Sequence, residues 1–138
     1  MSDSESRIRT RADLEAYIGH FNAKRYEQQI AYYAPDVVYK VGSLTLTSPR
    51  QIADFYADFH QYVKERVEIV QLAIDGDSVG VVLHAVFEPF KEYVRNGLSF
   101  KLGTTTDIVS FVFYELQEGR IRRIRMTRYT GSLSDFDN

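Results

Sequence analysis

With 138 residues, 44% of them hydrophobic and 26% charged, the chain has the make-up of one ordinary globular domain, long enough to bury a real core. A formal charge of -2 gives no electrostatic case for nucleic acid or an anionic membrane, and no apolar run approaches the length of a membrane span. The lack of cysteine excludes disulfides, thiolate metal sites and CxxC redox chemistry. The polar opening MSDSESRIRTR forms neither signal peptide nor anchor, so a cytoplasmic location is the default expectation.

Residues 1–10 read as a flexible N-terminal arm, 11–130 as a single domain and 131–138 as a C-terminal tail. From Arg11 a helical period begins, with Leu14, Tyr17, Ile18 and Phe21 on one face. A second short helix follows, with Tyr26, Ile30 and Tyr33 on one side, and Pro35 stops it. VVYKV is then strand-like, and Gly42-Ser43 is a turn. Ser48-Pro49 predicts an N-cap with proline at the first helical position, and the helix it opens presents Ile52, Phe55, Tyr56, Phe59 and Val63. Four strands are predicted next, over about 65–74, 79–90, 104–116 and 120–130. Asp75-Gly76-Asp77 and Gln117-Glu118-Gly119 join them in hairpins. Helices first and an antiparallel meander after argue for an α+β domain whose helices cover one face of a curved sheet.

Three stretches, AYIGHFNAKRYEQQIAYYAPDVVYKVG, IADFYADF and DIVSFVFYELQEGRIRRIRM, resemble the cone-shaped fold of nuclear transport factor 2. The similarity runs from Arg11 to Tyr129 and is to that superfamily's enzyme branch of ketosteroid isomerases, SnoaL-like polyketide cyclases, limonene epoxide hydrolase and scytalone dehydratase. The resemblance implies a curved, mostly antiparallel sheet against three N-terminal helices. It also implies that Tyr17 stands where the isomerases keep an oxyanion-donating tyrosine, backed by Tyr33 and Tyr56. The family's general-base aspartate falls on Val41, its protonated aspartic acid on Val109, and the epoxide hydrolase's last-strand aspartate on Met126. Steroid-isomerase proton shuttling is therefore not expected, and no named reaction transfers.

If Val41 and Val109 keep the family's inward orientation, strand alternation sends Tyr39 and Val41, then Leu83, Ala85 and Phe87, into the cone. Asp107, Val109, Phe111 and Phe113 follow from the next strand, and Ile124, Met126 and Arg128 from the last. With Tyr33, Tyr56 and Phe59 these form an apolar funnel suited to a hydrophobic small-molecule ligand. Closing the last hairpin at Gln117-Glu118-Gly119 would set Asp107 opposite Arg128, with Cβ atoms roughly 4.5–5.5 Å apart. Asp107 then becomes the acid-base candidate, with Arg128 as its partner or as an oxyanion stabiliser; the alternative is a partly solvated ion pair tying two strand ends.

The other polar signals have plainer accounts. His84 alternates with Val82, Val86 and Glu88 on the predicted outer face, where a dimer interface is expected by resemblance; a register shifted by one would make it a general base. None of His20, His60 and His84 has metal-ligand spacing, so no metal and no cofactor are expected. The five arginines of GRIRRIRMTR are split between faces by alternation, which favours a solvated or dimer-facing strand over a nucleic-acid site. Nucleotide and serine-nucleophile fingerprints are absent. FKEYVRNGLSFKLG is a lid over the cavity mouth or a hairpin that reinforces a dimer. Three functions compete: a cofactor-independent isomerase, cyclase, dehydratase or related lyase using Tyr17 with Asp107 or His84; a non-catalytic binding or dimerisation module; and an accessory subunit of a larger enzyme.

Overall fold

The computed structural model describes residues 6–95 and 97–137, apart from the side chain of Val41. Helices α1 (Arg11–Asn22), α2 (Tyr26–Ile30) and α3 (Pro49–Phe59) are accompanied by strands β1 (Tyr33–Val41), β2 (Leu44–Leu46), β3 (Val63–Asp75), β4 (Ser78–Pro89), β5 (Tyr93–Arg95), β6 (Leu98–Phe100), β7 (Thr106–Gln117) and β8 (Arg120–Arg128). Six strands form one sheet in the order β2-β1-β8-β7-β4-β3, antiparallel throughout except for the parallel pair β1–β8, while β5 and β6 make a separate hairpin. This is the expected α+β architecture: helices on one face of a mostly antiparallel sheet. Among the described residues no helix is long and apolar enough to cross a membrane.

Local chemistry explains where the helices start. Thr10 and Asp13 form a capping box at α1, and the Ser48 hydroxyl accepts from the Gln51 N–H ahead of Pro49 at α3. Asn22, at the end of α1, exchanges two hydrogen bonds of 2.8 Å with the backbone of Val67, which ties the helix to the edge strand β3. The β7–β8 turn uses Glu118 and Gly119, both at positive φ, the geometry a two-residue hairpin turn requires. A side chain at position 119 would meet Arg7 and Arg9, because the N-terminal segment lies over this turn.

Three expectations need correction. Tyr33 opens β1 and is not part of the second helix, which stops at Ile30; Pro35 falls in the stretch where the β1–β8 pairing is irregular, so no ladder bond is lost to it. The arm expected over 1–10 is packed from Ser6 onward: Ile8 is 1% exposed in the core, and its N–H donates to the Gly119 carbonyl at 2.8 Å. Residues 1–5 lie outside the described residues. In the tail, a 3-10 turn at Leu133–Phe136 folds back on the outer sheet face, where Phe136 and Tyr129 pack on Phe111.

Candidate active site

Between helices and sheet lies a cavity of about 210 Å³ with predominantly apolar walls. Alternation along the central strands decides what it sees. Leu83, Ala85 and Phe87 of β4 face it as expected, and so do Ile124 and Met126 of β8. Tyr17, Tyr33, Tyr39, Tyr56 and Phe59 line it too, while the side chain of Val41 lies outside the described ones. Leu98 and Phe100 of the β5–β6 hairpin reach its wall, so this segment folds over the chamber. The turn proposed at Asn96-Gly97 falls partly on Asn96, outside the described residues.

On β7 the expected parity is reversed. Ile108, Ser110, Val112 and Tyr114 face the chamber, whereas Asp107, Val109, Phe111 and Phe113 occupy the outer face. The expected opposition of Asp107 and Arg128 does not exist: Arg128 pairs with Ser110, and Asp107 pairs with Val86. The cause is the turn at Glu118–Gly119 together with a bulge in β8 that leaves Arg122 unpaired opposite the Glu115–Leu116 step. The bulge's single extra residue is enough to flip a face. Arg128 is exposed and does not line the chamber. Asp107 therefore cannot move a proton inside the cone.

His84 lies on the outer face, as its alternation predicted. Its Nδ1 is 3.0 Å from Glu68, directly opposite on β3, and its Nε2 is 3.0 Å from Asp107, diagonally placed on β7. Hydrogen bonding to Glu68, with a further contribution from Asp107, raises its pKa despite some desolvation, which favours the imidazolium. His84 and Asp107 thus belong to one surface ion cluster and not to the chamber.

The polar groups that do face the chamber are mostly phenols. Tyr17 and Tyr33 are joined through their hydroxyls at 2.6 Å, and Gln29 Nε2 donates to the Tyr33 oxygen at 3.0 Å. Tyr56, expected beside Tyr17, pairs instead with Tyr39 at 2.5 Å. Tyr114 packs edge-on against Tyr17, with ring centroids 6.1 Å apart. Burial raises the pKa of all five; the Tyr33 phenol is pushed up to about 12. Each therefore stays neutral and keeps its proton. Tyr33, Tyr17 and Tyr114 hold three protons for two shared hydrogen bonds, and Tyr39 and Tyr56 two protons for one, so one O–H in each group remains to donate. Gln29, fully buried, presents a carbonyl oxygen with no hydrogen-bond partner among the described residues.

One acid also lines the chamber, and it was missed in the sequence. Glu65 sits at the start of β3, its side chain 9% exposed, with Oε1 3.0 Å from His60 Nε2. Desolvation raises its pKa, outweighing the opposing hydrogen bond from His60. Its charge in turn pushes up the Tyr39 and Tyr56 phenols, so carboxyl and phenol pair share one electrostatic environment. The signal was present: Glu65 has the inward parity of Val63, Val67 and Ile69, an acid on the apolar side of an alternating strand.

This arrangement and its fold identify the family. The chain belongs to the SnoaL-like domain family, whose model matches residues 14–124. No curated protein matches it in sequence. Among solved structures it is similar to a candidate polyketide cyclase from Pseudomonas putida KT2440, with 21% identity and a TM-score of 0.69 over 86% of this chain and 88% of that one. A ketosteroid isomerase-like protein from Catenulispora acidiphila DSM 44928, solved in complex with trimethylamine, gives 14% identity and a TM-score of 0.70 over 88% of each chain. A limonene epoxide hydrolase-like epoxide hydrolase of M. tuberculosis gives 18% and 0.66 over 89% of this chain and 84% of that one. At these identities the likeness establishes the fold: an NTF2-like, ketosteroid isomerase-like cone shared with candidate cyclases and isomerases and with an epoxide hydrolase.

Proposed function

We propose that this chain is a cofactor-independent enzyme of isomerase, cyclase or dehydratase type, which moves a proton on a compact hydrophobic molecule held in the chamber. The observation that carries the reading is one buried carboxyl, Glu65, meeting neutral phenols on the wall of a single apolar cavity. A general acid-base group works best when its pKa approaches the working pH, and desolvation moves Glu65 in that direction. The spare O–H of the Tyr33–Tyr17–Tyr114 group donates to the oxygen that gains charge as the proton leaves; such a donor is worth on the order of 3 kcal/mol in a dry site. Gln29 offers its unpartnered oxygen to a donor on the ligand. Glu65 takes the role first expected of Asp107. A cytoplasmic setting remains part of the proposal.

Volume sets the substrate's size. An apolar cavity of about 150 Å³ holds benzene, and drug-sized ligands occupy roughly 300–1,000 Å³. At about 210 Å³ the chamber suits one substituted ring and not a fused four-ring skeleton. The distant relative solved in complex with trimethylamine supports a small-molecule ligand for a protein of this fold. Titration with 4-nitrophenol and cyclohex-2-en-1-one, followed by shifts of tyrosine ring signals, should show binding. Tyr17→Phe should weaken it about three- to tenfold, the worth of one hydrogen bond. No binding of either probe up to its solubility would remove the proposal, and binding without turnover of any single-ring carbonyl compound would leave a binding module.

We also propose a homodimer through the outer sheet face. Phe111 and Phe113 remain 42% and 40% exposed there, beside a shallow groove that includes Gly80. Sedimentation should give twice the monomer mass, falling to the monomer in Phe113→Glu. A wild-type monomer at micromolar concentration would refute it.

A further inference from the structure

The chamber's acid is not isolated behind its apolar wall. His60 caps the C-terminal end of α3, its backbone N–H donating to the Tyr56 carbonyl at 2.8 Å, and the chain then turns into β3 and reaches Glu65. The imidazole is 6% exposed overall and does not itself line the cavity. It is held among rings: Phe21, Tyr56 and Phe59 lie with centroids 5.4, 5.6 and 5.6 Å away, and Tyr26 stacks on it at 5.9 Å. One ring nitrogen, Nε2, meets Glu65 Oε1 at 3.0 Å; the other, Nδ1, meets the Tyr26 hydroxyl at 2.7 Å. Tyr26 is half-buried, on the short helix α2, and does not line the chamber. Carboxyl, imidazole and phenol thus form an unbroken hydrogen-bonded line running from the chamber wall toward the surface.

We infer that Glu65, His60 and Tyr26 form a proton relay, through which the chamber's carboxyl exchanges its proton with solvent without the chamber opening. The inference rests on the reading of Glu65 as the proton-transfer group and adds the route by which that group is reset. With Glu65 ionised, Nε2–H donates to the carboxylate and the Tyr26 O–H donates to Nδ1. A proton arriving at the Tyr26 oxygen from water displaces the Tyr26 proton onto Nδ1, and the Nε2 proton passes to Glu65. The result is a neutral acid, the opposite imidazole tautomer and an intact phenol, with one proton carried inward and no charge left on the way. The reverse sequence sends a proton out. Both tautomers make the same two hydrogen bonds with donor and acceptor exchanged, so neither leaves a buried nitrogen unpaired.

Two features make this geometry more than a structural bracket. An imidazole serving only to hold a carboxylate needs one of its nitrogens, yet here the second faces a hydroxyl, which can both accept and donate. Tyr26 at the outer end is half-buried where His60 is nearly enclosed, so the outer end can reach water. The other titratable groups facing the line are the Tyr56 and Tyr39 phenols, both kept neutral by burial, so they neither supply nor trap the proton. The consequence for chemistry is specific. With His60 in the Nδ1–H tautomer, a proton that a bound ligand leaves on Glu65 passes to Nε2 as the Nδ1 proton moves to Tyr26 and the Tyr26 proton to water, even with the hairpin folded over the cavity.

The test needs no substrate. In the full-length, nitrogen-15-labelled protein, the His60 side-chain N–H should exchange with water, and Tyr26→Phe should slow that exchange tenfold or more while exchange of the buried β3 amides stays the same. Equal or faster exchange in Tyr26→Phe overturns the relay. A second measurement uses the wild type alone. The nitrogen-15 shifts of the His60 ring should show its proton shared between Nε2 and Nδ1, the two tautomers that the relay requires. A proton fixed on one ring nitrogen overturns the proposal. Loss of the relay with 4-nitrophenol still binding would leave the proposed function standing, and an empty chamber with both His60 tautomers present would do the reverse.

Discussion

Glu65→Gln is expected to lower turnover of a chamber substrate by about two to four orders of magnitude, the usual worth of a positioned acid-base group. The amide keeps the shape and can still accept from His60, so the loss should appear in kcat, with KM changed much less. A readout independent of substrate follows from the raised pKa. Below about pH 4.3, the ordinary glutamate value, both folded and unfolded chains hold the proton. As the pH rises from there through the higher folded value, the unfolded chain gives up its proton more readily. The stability that the neutral buried carboxyl contributes is lost across that window. Glutamine has no proton to lose, so urea unfolding of Glu65→Gln should lack this decline. A stability difference between the two proteins that stays constant with pH would mean that Glu65 ionises as easily folded as unfolded, and the proposed acid would be lost with it.

Much of the fold was legible because local chemistry and burial agree there. Ser48-Pro49 marks a helix start on its own chemistry, and Gly76 and Gly119 mark turns by supplying positive φ. On β4, Leu83, Ala85 and Phe87 were placed correctly, with His84 on the other side. On β7 the same reasoning had less to grip. DIVSFVFYEL is apolar on both faces, because Val109 is buried and Phe111 covered by Tyr129 on the outer side while Ile108 and Val112 face the chamber. Asp107 and Glu115 share the outer parity and Ser110 the inner one, but the family's aspartate position points the other way, and the bulge at Arg122 is invisible in a linear pattern. The tyrosine cluster was half legible. Resemblance brought Tyr17, Tyr33 and Tyr56 together, but which hydroxyl meets which depends on ring directions from three elements. Glu65 and His60 were readable singly, as an inward acid and a helix-end histidine. Their contact required knowing that α3 ends at Phe59 and that β3 begins at Val63.

Phe59→Ala is expected to cost about 3–5 kcal/mol, the usual range for removing a buried phenylalanine, and to act first on one segment. Phe59 is 2% exposed and touches the site from the helix side. Its ring meets Tyr93 at 4.9 Å and Phe100 at 5.6 Å, one from each strand of the β5–β6 hairpin, and Phe87 at 6.2 Å on β4. An isolated two-stranded hairpin is marginal in water, so β5–β6 depends on these rings for its place over the chamber. Beyond its transfer free energy, the truncation leaves a void beside an existing cavity, where few neighbours can collapse inward. Amide exchange in β5 and β6 should therefore rise well above that of β4 and β7, whose ladders remain complete. The chamber would also gain volume on the side that Phe59 now fills, and ligands larger than one ring should begin to bind. A loss below about 1 kcal/mol would place the side chain outside the packed core. A large loss with uniform exchange across the sheet would mean that the hairpin is held by something other than the aromatic cluster.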